Sequence, residues 1–198
     1  DVRTGKDLPD VIEWSKFTSA EWLPDSSGFY YGRYEPPAGG TKYTGPNYFQ
    51  KLFFHRVKTP QRKDDLVYHR PDQKEWGFGP VVSDDGRYLV LFVWQGTDSR
   101  NRVFYKDLKT DAPVVELIPE LEAAYHFVGN DGPVFYFRTD LDAPRGRLIA
   151  VDVTRPERSN WTTLIEESKD TLEGVQMVHD EFVAVYLHDA HHVIQRFS

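Results

Sequence analysis

Serine, histidine and paired carboxylates are the side chains in this sequence that could attack a bond, carry a proton or hold a metal; cysteine is absent. A serine nucleophile needs an elbow such as Gly-x-Ser-x-Gly, which lifts the hydroxyl out of a strand-to-helix turn. Ser15, Ser19, Ser26, Ser27, Ser83, Ser99, Ser159, Ser168 and Ser198 all lack that context. Ser83, in Val82-Ser83-Asp84-Asp85-Gly86, reads as a turn-capping hydroxyl instead. No residue is therefore assigned a catalytic role.

His188, His191 and His192, with Asp189, form His-Asp-Ala-His-His, which in principle offers imidazoles to a metal. They span a predicted turn with no second ligand cluster to converge on, so they read as exposed turn residues and no metal is expected. His55, His69, His126 and His179 lie singly in strand-like runs, where packing is the better reading. Asp64-Asp65, Asp84-Asp85 and Glu166-Glu167 sit at turns or loop edges and read as solvated surface rather than acid and base. Trp76-Gly77-Phe78-Gly79-Pro80 lacks the strand-to-helix setting of a phosphate loop and reads as a bulge or the start of a sheet, so no cofactor is expected. Asn160-Trp161-Thr162 fits the glycosylation pattern, but residues 1 to 20 contain no apolar leader, and the match reads as chance.

Bulk properties exclude further classes. A net charge of -7, with 24 basic residues interspersed among 31 acidic ones, gives no basic surface for nucleic acid. No run of 18 or more apolar residues is present, so no membrane span is expected. The lack of cysteine fits a reducing compartment, and a cytoplasmic location is expected. Beginning at Asp1 and stopping at Ser198 within a strand-like run, the sequence reads as a piece of a longer chain.

The elements that must position these side chains are hairpins. Val81 to Trp94 is a β-branched run that meets Ser-Asp-Asp-Gly and reverses into a second apolar run, with Gly86 free to take the positive φ of a tight turn. Ala20 to Tyr31, Phe127 to Phe137 and Val175 to Tyr186 repeat the layout. The turn positions Gly28, Gly86, Gly132 and Glu181 fall roughly 45 to 60 residues apart, a repeat length expected of four-stranded propeller blades. The expectation is an all-β chain: a single segment, 1–198, of a partial β-propeller of the seven-bladed type. It holds three to four blades of four antiparallel strands, over about 11–70, 76–120, 121–167 and 172–198; the number seven is what the resemblance described below implies.

In the first blade, 11–17 with 21–23 is expected to be the innermost strand, and 35–45, rich in Pro and Gly, an exposed loop. Helical turns are expected only around 118–124 and 166–172. The 15% aromatic content fits sheets stacked face to face. Open strand edges at the ends of such an array invite self-association.

Lys6 to Phe17 with Ser26 to Tyr31, then Gln50-Lys51-Leu52-Phe53-Phe54-His55-Arg56-Val57, Asp85-Gly86-Arg87-Tyr88 and Tyr186-Leu187-His188-Asp189-Ala190, resembles in that order the propeller domain of the prolyl oligopeptidase family of serine peptidases. The resemblance covers essentially the whole chain. It implies a parent enzyme with an α/β-hydrolase domain carrying a Ser, Asp, His triad in the same polypeptide. A seven-bladed propeller caps that domain and limits substrates to short proline-containing peptides, cleaved after proline. This chain corresponds to the middle of the propeller, a non-catalytic lid.

Phe17, in Trp14-Ser15-Lys16-Phe17, matches the family's Lys-Phe motif, whose Phe contributes to the apolar wall receiving the residue two before the scissile proline. The ordinary alternative is an inner-strand aromatic in the blade core. Two departures stand out. In vertebrate members of the family a methionine follows the Trp where Gly77 follows Trp76 here, and those members' substrate-holding arginine and nearby cysteine fall at Trp94 and Thr97. If Trp94 and Thr97 line the cavity, they do so without charge. The alternative function is a stand-alone interaction module assembling through open blade edges. A weaker one is a sugar or peptide binder using the aromatics.

Overall fold

The computed structural model describes residues 1–36 and 46–198. The chain is all-β, with fifteen strands among the described residues in four antiparallel sheets, each laid out in chain order. The first sheet holds β1 (Glu21–Trp22), β2 (Gly28–Arg33), β3 (Lys51–Arg56) and β4 (Asp65–Tyr68). The second holds β5 (Trp76–Val82), β6 (Tyr88–Gln95), β7 (Arg102–Asp107) and β8 (Val115–Ile118). The third holds β9 (Tyr125–Asp131), β10 (Val134–Thr139), β11 (Arg147–Asp152) and β12 (Thr162–Ile165). The fourth holds three strands, β13 (Thr171–Val178), β14 (Glu181–His188) and β15 (His191–Phe197). This is the sheet pattern of a partial β-propeller.

The hairpins form where β-branched and aromatic runs meet turn residues. In the second sheet Val81 pairs with Val90 and Val82 with Leu89, and Gly86 at φ 66° closes the turn. The Ser83 hydroxyl accepts from the Tyr88 amide (2.9 Å) and donates to Asp85 (2.5 Å), the capping read from the sequence. Gly132 at φ 52° closes the turn between β9 and β10. Cross-strand aromatic pairs stiffen the first sheet: Trp22 on Phe29 at 4.7 Å and Tyr30 on Phe54 at 4.8 Å between ring centroids.

The described residues fall into two compact units, Asp1–Asp98 with Phe104–Val115, and Ser99–Val103 with Glu116–Ser198. The core of the first gathers Tyr30, Leu52, Trp76, Phe78, Leu91 and Phe104 with their neighbours. That of the second centres on Leu148, Ile165, Leu172, Ala184 and Tyr186.

Two local expectations change, and one alternative is decided. The segment 11–17 is not a strand: Trp14 (φ 59°) and Phe17 (φ 53°) take left-handed backbone, which breaks any ladder. Burial nevertheless alternates along it, the pattern that imitates a strand in sequence. Around 118–124 and 166–172 no helical turn forms; single 3-10 turns occur at Gln61–Lys63 and Arg158–Asn160. Trp76 to Pro80 is the regular start of β5, in unbroken register with β6, and not a bulge. From residue 37 onward, the loop expected over 35–45 lies outside the described residues.

Candidate functional site

Phe17 and Trp94, from distant parts of the first unit, meet edge to face, with ring centroids 6.5 Å apart and planes at 78°. Phe17 is 67% exposed, so it is not the inner-strand core aromatic that the alternative described. Its position is nevertheless determined. The buried Gln50 side chain donates to the Lys16 carbonyl (3.0 Å) and accepts from the Phe78 amide (2.6 Å), tying the segment to β5. On the other side the Thr18 hydroxyl accepts from the Gly32 amide (2.8 Å) in β2, and the Trp14 carbonyl accepts from the Tyr34 amide (3.0 Å). A bulky residue with positive φ persists only where its surroundings over-determine it, and these bonds do so.

Trp94 sits near the end of β6 opposite Gly77 of β5. A Cβ on Gly77 would lie 1.9 to 2.5 Å from three atoms of the indole, so the absence of a side chain there is what lets the ring lie across the neighbouring strand. Thr97 is exposed in the turn that follows β6, where Gly96 has φ 58°. Phe17 and Trp94 are thus brought together, with Thr97 three residues further along. The pair is an uncharged, partly open aromatic corner, suited to receive a ring or an apolar side chain by stacking and unable to move a proton.

A second constellation in the same unit was not foreseen. His55, read as a packing residue, is fully buried with both ring nitrogens on carboxylates: Nδ1 at 2.8 Å from Asp64 Oδ1 and Nε2 at 3.0 Å from Asp10 Oδ1. Asp64 also accepts from the Tyr31 hydroxyl (2.6 Å), and Gln61 donates to that hydroxyl (3.1 Å). Asp64 is therefore not solvated surface; its side chain is completely buried, whereas Asp65 pairs with Arg56 at the surface. Burial opposes the charge on His55, but the hydrogen bonds to Asp64 and Asp10 outweigh it and raise its pKa. Asp10 is likewise opposed by burial and is lowered by its bonds to His55 and to the Lys58 amide. Strand alternation gave no warning, because the partners of His55 lie 45 and 9 residues away in sequence.

The remaining sequence candidates have local roles. Asp85 accepts from the Ser83 hydroxyl and the Arg87 amide. Glu167 accepts from the Arg145 amide. At the tip of the fourth sheet, His188 bonds Asp170 (2.8 Å) and His192 bonds Glu173 (2.7 Å) across a turn through Asp189 and Ala190, both at positive φ. No group of three or more His, Asp or Glu among the described residues is placed to hold a metal ion. No helix among them is long and apolar enough to cross a membrane. Asn160 is exposed, and its amide donates to Glu157.

Four antiparallel sheets in chain order, with an aromatic corner set by loop and strand-end residues, define a propeller-type scaffold. All of residues 1–198 match the family described as prolyl oligopeptidase, N-terminal beta-propeller domain, and the chain belongs to that family. It is 31% identical to prolyl oligopeptidase A of Galerina marginata over 188 residues, covering 90% of this chain and 25% of that protein. It is 30% identical to the prolyl endopeptidase of Elizabethkingia meningoseptica over 198 residues, covering 100% of this chain and 28% of that protein. Among solved structures, prolyl oligopeptidase B from Galerina marginata, bound to a 25mer macrocyclization substrate, superposes with a TM-score of 0.87 at 29% identity, over 100% of this chain and 28% of that one. A chain from a structural and mechanistic study of two prolyl endopeptidases gives 0.86 at 34% identity, over 99% of this chain and 28% of that one. The chain thus spans about a quarter of the length of these relatives.

Proposed function

We propose that this chain is the non-catalytic propeller segment of a serine endopeptidase that cleaves short peptides after proline. Its partner is an α/β-hydrolase domain elsewhere in the same polypeptide. Membership of the family over all 198 residues supports this, as do relatives named prolyl endopeptidase that are about four times as long. In that role the blades act as a lid: a narrow passage excludes folded proteins by size, and opening between blades or domains admits peptides. Absence of cysteine supports a cytoplasmic setting. The stand-alone interaction module is not favoured, because the relatives carry this segment within much longer chains.

The single observation that carries the site is the exposed Phe17 ring set against Trp94. In this reading Phe17 forms the apolar wall for the residue two before the scissile proline. Trp94 extends that wall without charge, and Thr97 offers a hydroxyl at its rim. None of them touches the reacting bond, so their contribution is to bind and orient. In the full-length polypeptide, Phe17→Ala and Trp94→Ala should each raise KM for a short Gly-Pro peptide roughly tenfold, the worth of one modest apolar contact, with kcat within about twofold. If both variants leave KM unchanged, the aromatic corner is not part of the substrate site.

A further inference from the structure

We infer that His55, held between Asp10 and Asp64, is a proton-dependent latch that fastens the segment Pro9 to Thr18 onto the first sheet and so positions Phe17. The significance of that position for substrate rests on the reading above; the latch itself does not.

Hydrogen-bond bookkeeping comes first. Both imidazole nitrogens face carboxylate oxygens, at 2.8 and 3.0 Å, with the side chains of His55 and Asp64 fully buried and that of Asp10 largely so. A neutral imidazole carries only one N–H, so the arrangement is complete only with His55 protonated. The groups facing it from each packed element are few. Asp10 comes from the N-terminal segment, Asp64 follows the 3-10 turn, and the Tyr31 hydroxyl of β2 donates to Asp64. The Lys58 main-chain amide donates to Asp10, and the neutral Gln61 side chain bonds Tyr31. The Phe29 ring covers the imidazole, 5.1 Å away between centroids.

The two carboxylates are not equally held. Asp64 has the Tyr31 hydroxyl as well as the imidazole, whereas the second oxygen of Asp10, Oδ2, is buried with no hydrogen-bond partner among the described residues. When His55 loses its proton, the remaining N–H stays with the better-fixed Asp64, and the Nε2 lone pair faces the Asp10 carboxylate across 3.0 Å. That contact is repulsive in a dry site, so the Asp10 end opens. Beyond Asp10 the segment is secured by neutral bonds: the Gln61 side chain bridges the Glu13 amide (3.2 Å) and carbonyl (3.0 Å), and Gln50 and Gly32 hold Lys16 and Thr18. Release of Asp10 therefore loosens the segment from its start toward Phe17 without freeing it at once.

The signs follow from the two shifts. The pKa of His55 is raised in the fold, so its contribution is fully present below its ordinary 6.5 and is lost as pH rises through the raised value. That of Asp10 is lowered, so its contribution is present above its ordinary 3.8 and is lost as pH falls through the lowered value. The latch is strongest between those limits.

The test uses the 198-residue chain itself. Long-range nitrogen–proton NMR at pH 6 should show both His55 ring nitrogens protonated. Through the His55 titration, the hydrogen-exchange protection of the Lys58, Glu13 and Tyr34 amides should fall about tenfold, while amides of the β5–β6 ladder keep theirs. Asp10→Asn, which keeps an oxygen where both the Lys58 amide and His55 Nε2 meet Asp10 Oδ1 but removes the charge, should lower the His55 pKa and move the pH step to lower pH. His55→Gln should show the lower protection at every pH. A single ring N–H at pH 6, protection that ignores the titration, an equal loss across β5 and β6, or a pH step unchanged in Asp10→Asn would each overturn the latch. None of these outcomes depends on proline-containing peptides, so the latch and the proposed enzyme role fail separately.

Discussion

Gly77 and Trp94 are cross-strand partners in which one residue supplies the space that the other occupies. The indole lies where a Cβ at Gly77 would stand, and from there it meets the edge of Phe17. In the resemblance drawn from sequence, these positions were two separate departures, a glycine for a methionine and a tryptophan for an arginine. In this chain the two positions are coupled: the ring at 94 lies where a side chain at 77 would stand.

Gly77→Ala should therefore displace the indole or strain β5, at a cost of about 1–3 kcal/mol. Urea unfolding monitored by tryptophan fluorescence would show the loss of stability, and the native-state emission should shift as Trp94 moves. An unchanged spectrum and midpoint would mean that the two residues are not coupled.

Gln50→Leu should free the segment ahead of β1. It keeps the bulk but removes the acceptor for the Phe78 amide and the donor to the Lys16 carbonyl. A buried amide left without a partner costs about 1–3 kcal/mol. Hydrogen exchange at Phe78 should quicken selectively, and exchange that matches the wild type would show that Gln50 is not the tie.

Much of this was legible beforehand. The hairpins over 81–94, 127–137 and 175–186 are local: a turn glycine or aspartate between alternating apolar runs fixes both the strands and the register. Phe17, proposed above as a wall residue, was legible only through family resemblance, since its own segment imitates a strand by alternating burial while two positive φ values bend it. Gln50, His55 and Asp64 were not legible as a set. Each works through partners that are distant in sequence, and a lone polar residue in a strand-like run gives no sign of whether its face is dry. Asp64 shows the cost of reading carboxylate pairs by adjacency: of two neighbouring aspartates, one is sealed against His55 and the other faces water.

Alkaline titration should place Tyr31 among the late-titrating phenols. Burial first, and its hydrogen bond to Asp64 second, push its phenol up to about 12 from the ordinary 10. Because the folded value is the higher one, this contribution to stability is intact below 10 and is lost as pH rises toward about 12. Phenolate absorbance should lose one phenol's share of its rise near 12 in Tyr31→Phe, while the other buried phenols, Tyr125 among them, still titrate late. A titration complete at the ordinary value in the folded chain would contradict the buried Tyr31–Asp64 bond.

The central claim is that this chain gates and shapes a substrate passage while another domain breaks the bond. Its most direct test compares the purified 198-residue chain with the full-length polypeptide on one chromogenic peptide with proline before the scissile bond, with and without a serine-reactive inhibitor. The account predicts inhibitor-sensitive cleavage by the full-length polypeptide and none by the chain alone. Turnover by the chain alone that co-purifies with it and survives the inhibitor would contradict it.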